Sequence, residues 1–254
     1  MSSELILEAH GTVRVLRLSR PQARNAMTGT LAKAIAEAID EFEASPAWLV
    51  AIITGDGEHF CSGMDLKAFA RGELPMDPSR GFGGLTHRPP SKPIIAAIEG
   101  YAVAGGFELA LACDLIVAAH NAQFGLPEVK RGLVAAAGGL MRLPRRLPYH
   151  LAMELALTGD LLTAERAWAH GLINRLTPPG QALIEALALA HQIVQQAPLA
   201  VRTSKQIIQQ SALWPEEEMF TNQTALADPI AHTEDALEGA RAFAEKRAPI
   251  WFGR

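Results

Sequence analysis

Cysteine is scarce in this chain. Cys61 and Cys113 are the only two among 254 residues, and they form no CxxC pair. That spacing argues against a disulfide framework and against a cysteine-based zinc module. No charge of one sign dominates either. Lys and Arg total 23 against 27 Asp and Glu, the net charge is −4, and no basic run exceeds the short patch of Arg142, Arg145 and Arg146. Neither a nucleic acid nor an anionic membrane surface is expected as a partner. No stretch reaches the roughly 18 apolar residues that span a bilayer. Met1–Leu5 lacks the basic segment and apolar core of a secretory leader, so a cytoplasmic location is expected. The short signatures of common chemistries are missing as well: GxxxxGK[ST], GxGxxG after a strand, HExxH and GxSxG. His59, His87, His120 and the other histidines form no ligand spacing, and no metal site is expected.

What the chain does have is apolar material. Hydrophobic residues make up 49% and charged residues 20%, enough for one large α/β domain or a domain with an appendage. Leu5–Thr12 and Val13–Leu18 read as a hairpin. A helix from Thr28 or Thr30 to about Ala44 carries Leu31, Ile35, Ile39 and Phe42 at helical spacing, and Val50–Gly55 reads as a buried strand. The order strand, helix, strand predicts a parallel crossover. A short helix over Leu66–Arg71 is predicted, and residues 72–90, rich in Gly, Pro and Arg, read as a mobile loop near the site. Thr163, followed by Glu165 and Arg166, reads as an imperfect helix-start box. From Gln181 onward only helices are expected, over about 181–196, 198–211, 215–226 and 233–246. The division predicted is a core over 1–195 and a helical region over 196–254.

The chain is organised around Glu99–Glu128. A strand over Lys92–Ile98 precedes Gly105-Gly106, an apolar helix runs from Phe107 to Cys113, and a strand covers Leu115–Ala119. A glycine pair at a strand-to-helix turn lets backbone approach a ligand closely. The first N–H groups of the helix have no partner inside it and favour negative charge. They suit an oxyanion. Glu108 and Glu128 both sit among apolar neighbours, where desolvation raises a carboxyl pKa toward the range useful for proton transfer. A bland reading stands beside this one, with Glu108 a helix-start carboxylate and Glu128 a solvated turn residue. The small residues of Phe60–Leu66 form a second possible anion-holding loop, in which Asp65 is read as bonding its own backbone.

Together these segments resemble the crotonase superfamily, also called the enoyl-CoA hydratase/isomerase family. The likeness is carried by Arg20-Pro21 with Asn25-Ala26, Ile52–Gly55, Phe60–Leu66, Lys92–Ala97, Gly105–Leu109, Phe124–Glu128 and Ala244–Arg247. It implies an α/β crotonase spiral of ββα units with a helical C-terminal trimerisation region, assembled as a homotrimer or homohexamer. It implies an acyl-CoA thioester substrate, with coenzyme A part of that substrate and no separate cofactor. The backbone N–H groups of Met64 and Gly105 would hold the thioester oxygen. Glu128 would deliver a proton to C2 while Glu108 activates the water that attacks C3. Arg24, Cys61, Ser62, Asp65, Leu66 and Lys246 would hold the CoA portion, Lys246 from across a subunit interface. Hydratases carry both glutamates and many isomerases only the second, so hydration of a trans-2-enoyl-CoA is the expected activity. Segments 81–86, 105–112 and 242–251 are most similar to the carnitinyl-CoA dehydratase branch. Val134-Ala135-Ala136-Ala137-Gly138-Gly139 departs from the usual hydratase pattern, and its alanines argue for an apolar acyl chain. Other readings are a carnitinyl-CoA dehydratase, a Δ3,Δ2-enoyl-CoA isomerase and a non-catalytic acyl-CoA binding protein.

Overall fold

Strands β1 (Leu5–His10) and β2 (Val13–Leu18) pair antiparallel, as their pattern predicts. The computed structural model describes residues 4–254, so residues 1–3, part of the leader reading, lie outside the described residues. Helix α1 (Gly29–Ala44) opens on Thr28, whose hydroxyl accepts the Leu31 N–H at 3.1 Å. Its Leu31, Ile35, Ile39 and Phe42 join the core that also holds Leu16, Leu18 and Ile53. The helix returns the chain to β3 (Val50–Gly55), which pairs parallel with β2 in the expected crossover.

The next segment departs from expectation. Helix α2 (Leu66–Phe69) stops short of Arg71. The stretch read as mobile is pinned instead: β4 (Met76–Asp77) pairs with β5 (Gly81–Phe82). Arg80 is buried and meets Asp40 of α1 at 2.6 Å, while Leu85 enters the core. Composition pointed to a loose loop, but a buried guanidinium paired with the exposed Asp40 carboxylate and a buried leucine hold this one.

The spiral follows. The chain lays down β6 (Ile94–Ile98), β7 (Tyr101–Val103), α3 (Gly105–Ala112), β8 (Leu115–Ala119) and β9 (Gln123–Gly125). Then come α4 (Gly139–Arg142), α5 (Tyr149–Thr158), β10 (Leu162–Thr163), α6 (Ala164–Ala169) and β11 (Arg175–Thr177). The long sheet runs β1-β2-β3-β6-β8-β11, parallel from β2 onward, and a small sheet runs β10-β9-β7. Successive turns of chain add strands to the two sheets and helices around them, which is the ββα spiral. Strands β7, β9 and β10 are too short to show any alternation in sequence. Helix α7 (Ala182–Val194) lays Ala182, Ala186 and Ala190 on the far face of the long sheet, against residues such as Val15, Ile52 and Ile95. With both faces covered, the parallel strands read as continuous apolar runs. Helices α8 (Pro198–Ser211), α9 (Met219–Ala231) and α10 (Glu234–Glu245) complete the chain. Among the described residues no helix is long and apolar enough to cross a membrane.

Lys92 ties the sheet to α1. Its ammonium donates to the carbonyls of Phe42, Ser45 and Trp48 at 2.8, 2.7 and 2.8 Å, satisfying the open end of the helix. Burial lowers its pKa. A Lys92→Met variant keeps most of the volume and strands these carbonyls. Its urea unfolding midpoint at pH 7 is expected to fall by the equivalent of about 2–3 kcal/mol, with the slope unchanged. An unaltered midpoint would contradict this role.

Candidate active site

The site begins with a strained residue. Ala104, between β7 and α3, has φ +52° and ψ −131°, a conformation that side chains rarely adopt. Surrounding bonds impose it. The Ala104 N–H donates to the Gly125 carbonyl at 2.9 Å, and the Ala104 carbonyl accepts the N–H groups of Phe107 and Glu108 at 2.9 and 3.1 Å. The chain thus turns from strand into helix at one residue, and the Gly105 N–H is left at the open start of α3.

Two glycines, Gly63 and Gly106, let this turn and the Cys61–Leu66 loop touch, and a third, Gly105, lets the turn lie against Phe82. A Cβ on Gly105 would lie 2.2 Å from the Phe82 ring, and one on Gly106 would lie 2.1 Å from the Cys61 carbonyl oxygen. Gly63 has φ +91°, and a Cβ there would fall 3.2 Å from the Gly105 nitrogen. The Met27 N–H donates to the Gly63 carbonyl at 2.7 Å, and the Asp65 N–H to the Met27 carbonyl at 2.9 Å. In such a parallel bridge Met64 directs its own N–H to the opposite side. Among the described residues neither the Met64 nor the Gly105 N–H meets a protein acceptor. Both residues line one cavity of about 440 Å³. Two fixed donors at its wall, free of internal partners, are equipment for an oxyanion.

Glu108 and Glu128 line the same cavity in different environments. Glu108, in the first turn of α3, is buried, and its Oε1 accepts the N–H groups of Ala137 and Gly139 at 2.7 and 2.9 Å. Burial raises its pKa, while those two donors and the Arg142 charge oppose the rise. Glu128 stands in the 3-10 turn Pro127–Arg131, beyond β9. Burial pushes its pKa up to about 7, with the Glu108 charge adding to the shift and its own N–H and Arg131 opposing it. Its Oε2 is buried without a hydrogen-bond partner among the described residues. Donors favour the carboxylate form of Glu108, and a dry setting beside another carboxyl favours the acid form of Glu128. The pair can therefore offer a base and an acid at near-neutral pH.

The residues expected to hold CoA divide. Arg24, Ser62 and Leu66 line the cavity, and the Arg24 guanidinium lies 5.8 Å from the centre of the Tyr101 ring. Cys61 is buried, and burial pushes its thiol up to about 12, so its side chain is inert. The Asp65 carboxylate is already used. It caps α2 through the Lys67 and Ala68 N–H groups at 3.0 and 3.1 Å and meets Arg20 at 3.0 Å. Neither Cys61 nor Asp65 lines the cavity, and their backbone is engaged as well. The Cys61 N–H donates to the Tyr101 carbonyl and its carbonyl accepts the Val103 N–H, while the Asp65 N–H donates to the Met27 carbonyl and its carbonyl accepts the Phe69 N–H. The structure therefore does not bring these two expected CoA contacts to the cavity. Lys246 is exposed at the end of α10 and lies outside the cavity of its own chain. Met76 and Phe82, from the segment expected near the site, supply apolar wall to the cavity, although neither residue was singled out in the sequence. Phe82 falls in the Gly81–Thr86 segment noted as a likeness, while Met76 carried no signal beyond the placing of the whole 72–90 stretch near the site. Among the described residues no group of three or more His, Cys, Asp or Glu is arranged to hold a metal ion.

Known proteins are similar to this chain over its whole length. The family model described as enoyl-CoA hydratase/isomerase matches residues 8–254. A carnitinyl-CoA dehydratase of Salmonella typhi is 45% identical over 263 residues, covering 100% of both chains. The crystal structure of an enoyl-CoA hydratase from Mycobacterium tuberculosis H37Rv superposes with a TM-score of 0.98 at 52% identity, covering 100% of both chains. That of a carnitinyl-CoA hydratase from Mycobacterium avium does so with a TM-score of 0.80 at 42% identity, again over 100% of both.

The raised Glu128 pKa has a consequence for stability. Between the ordinary carboxyl value of 4.5 and about 7 the folded chain holds a proton that the unfolded chain has released. Stability contributed by this group is therefore present at low pH and is lost as pH rises through that window. In a Glu128→Gln variant this loss is expected to vanish, so the variant gains on the parent at pH 8 relative to pH 5. Urea midpoints across that range provide the check, and parallel curves for the two proteins would contradict the shift.

Proposed function

The chain belongs to the enoyl-CoA hydratase/isomerase family, and on that footing we propose that it catalyses the reversible syn hydration of a trans-2-enoyl-CoA to a 3-hydroxyacyl-CoA. One observation carries the reading: the open Met64 and Gly105 N–H groups and the unlike carboxyls Glu108 and Glu128 converge on one cavity. In the hydration direction Glu108, as carboxylate, takes a proton from water as its oxygen attacks C3. Negative charge gathers on the thioester oxygen, where the two N–H groups stabilise the enolate. Glu128, as acid, gives its proton to C2 as the carbonyl re-forms. One such backbone donor is worth about 10²–10³ in rate.

Coenzyme A enters as part of the substrate, and no separate cofactor is used. Arg24, Ser62 and Leu66, which line the cavity, hold it from one chain, and Lys246 serves a neighbouring subunit. The C-terminal region leaves Phe220, Phe243, Ile250 and Phe252 exposed, which supports a homotrimer or homohexamer built through that region. The acyl end is lined by Leu133, Val134, Ala136 and Ala137, and the aromatic residues of the cavity are Phe69 and Phe82, with no Tyr or Trp. This favours an uncharged acyl chain over the trimethylammonium group of carnitine, which an aromatic cage recognises best. The activity belongs to acyl-CoA breakdown of the β-oxidation type, in the cytoplasm.

Loss of the enoyl-thioester absorbance with crotonyl-CoA and longer 2-enoyl-CoAs tests the reading. Glu108→Gln and Glu128→Gln are each expected to lower kcat by at least about 10²-fold while binding of a saturated acyl-CoA persists. Full turnover in Glu108→Gln would favour an isomerase. A parent that binds 2-enoyl-CoAs of every length without turning any over would overturn the hydratase reading and favour crotonobetainyl-CoA or a binding role.

A further inference from the structure

Arg142, the last residue of α4, does not line the cavity, yet it touches both halves of the site's support. Its Nη2 donates to the Thr86 carbonyl at 2.6 Å and its Nη1 to the Ala137 carbonyl at 3.4 Å. A Cβ on Gly138, which has φ +101°, would lie 2.2 Å from that Nη1, so the guanidinium is packed into the Ala137–Gly139 turn. The N–H groups of this turn are the ones that hold Glu108. At the other end, Thr86 is buried and ends the segment in which Phe82 backs Gly105. Desolvation and the neighbouring Arg146 and Arg145 both disfavour the Arg142 charge, while Glu108 supports it. An apolar side chain would fill this space without that cost.

We propose that Arg142 is a positioning residue, clamping the Ala137–Gly139 turn to the Thr86 segment so that Glu108 is kept fixed and ionised beside the oxyanion donors. The inference rests on the hydratase reading above. The groups around Glu108 are the Arg142 cation, the Glu128 carboxyl and the two N–H donors. Around Arg142 stand Arg145, Arg146, Glu108 and the Cys113 thiol, which burial keeps neutral with a pKa of about 12. Removing the cation makes the Glu108 carboxylate less favourable, so ionisation moves to higher pH.

The test is kcat/KM against pH for the parent, Arg142→Met and Arg142→Lys, with circular dichroism as a check of folding. In Arg142→Met, kcat is expected to fall about 10–100-fold, and the acid limb is expected to rise by about one pH unit. Arg142→Lys keeps the charge and loses the fork. Its acid limb is expected to stay with the parent while kcat falls about tenfold. A folded Arg142→Met with the parent's kcat and acid limb would overturn the proposal. Should that variant not fold, a fully active Arg142→Lys would do the same. Infrared titration of the Glu108 carboxyl in a Glu128→Gln background reads the shift without turnover. An inactive parent would refute the hydratase reading and still leave the clamp testable.

Discussion

The site depends on a contact between two stretches of backbone. The Cys61–Leu66 loop lies against the start of α3, and side chains at Gly63, Gly105 or Gly106 would collide with what faces them. Fixed amide dipoles placed this way need no reorganisation as charge develops, which is why they are more effective than mobile side chains. The contact has a cost, visible in the φ of +52° at Ala104. Neighbouring strands absorb it through the Ala104–Gly125 bond between β7 and β9. The small sheet, unremarkable as a source of stability, is therefore what aims the Gly105 N–H.

From that contact the roles of the two carboxyls diverge. They are the same residue type in one cavity, and environment alone separates them. Glu108 receives two N–H donors from the Ala137–Gly139 turn. Glu128 has a buried oxygen with no partner among the described residues, and a carboxyl neighbour. Whichever form each favours follows from counting the donors and charges around it. The spiral brings these groups together from distant parts of the sequence, through α3, the turn after β9 and the loop before α4.

Much of this was legible in the sequence, because long elements carry long patterns. The α1 stripe of Leu31, Ile35, Ile39 and Phe42 and the apolar runs of β3, β6 and β8 appear where expected, and the glycine pair expected before an apolar helix forms the first two residues of that helix. The strands of the small sheet did not register, since two or three residues hold no period. The 72–90 segment misled because composition reports turn-forming residues and not the partner, Asp40, that anchors Arg80 from α1. Asp65 divides, since the local backbone bonding read for its side chain is present while the CoA contact that the likeness implied for it is not brought to the cavity. Lys246 was placed by likeness alone, and one chain brings it to no site.

The central claim is that an enolate forms against the Met64 and Gly105 N–H groups, with Glu128 carrying the C2 proton and Glu108 serving the water at C3. Proton NMR of a saturated acyl-CoA, butyryl-CoA, incubated with the enzyme in D₂O isolates the first half of that claim, because no C3 chemistry is possible. The account predicts stereospecific deuterium incorporation at C2 by the parent and by Glu108→Gln, and none by Glu128→Gln. Exchange that survives in Glu128→Gln, or a parent that exchanges nothing while binding the ester, would contradict it.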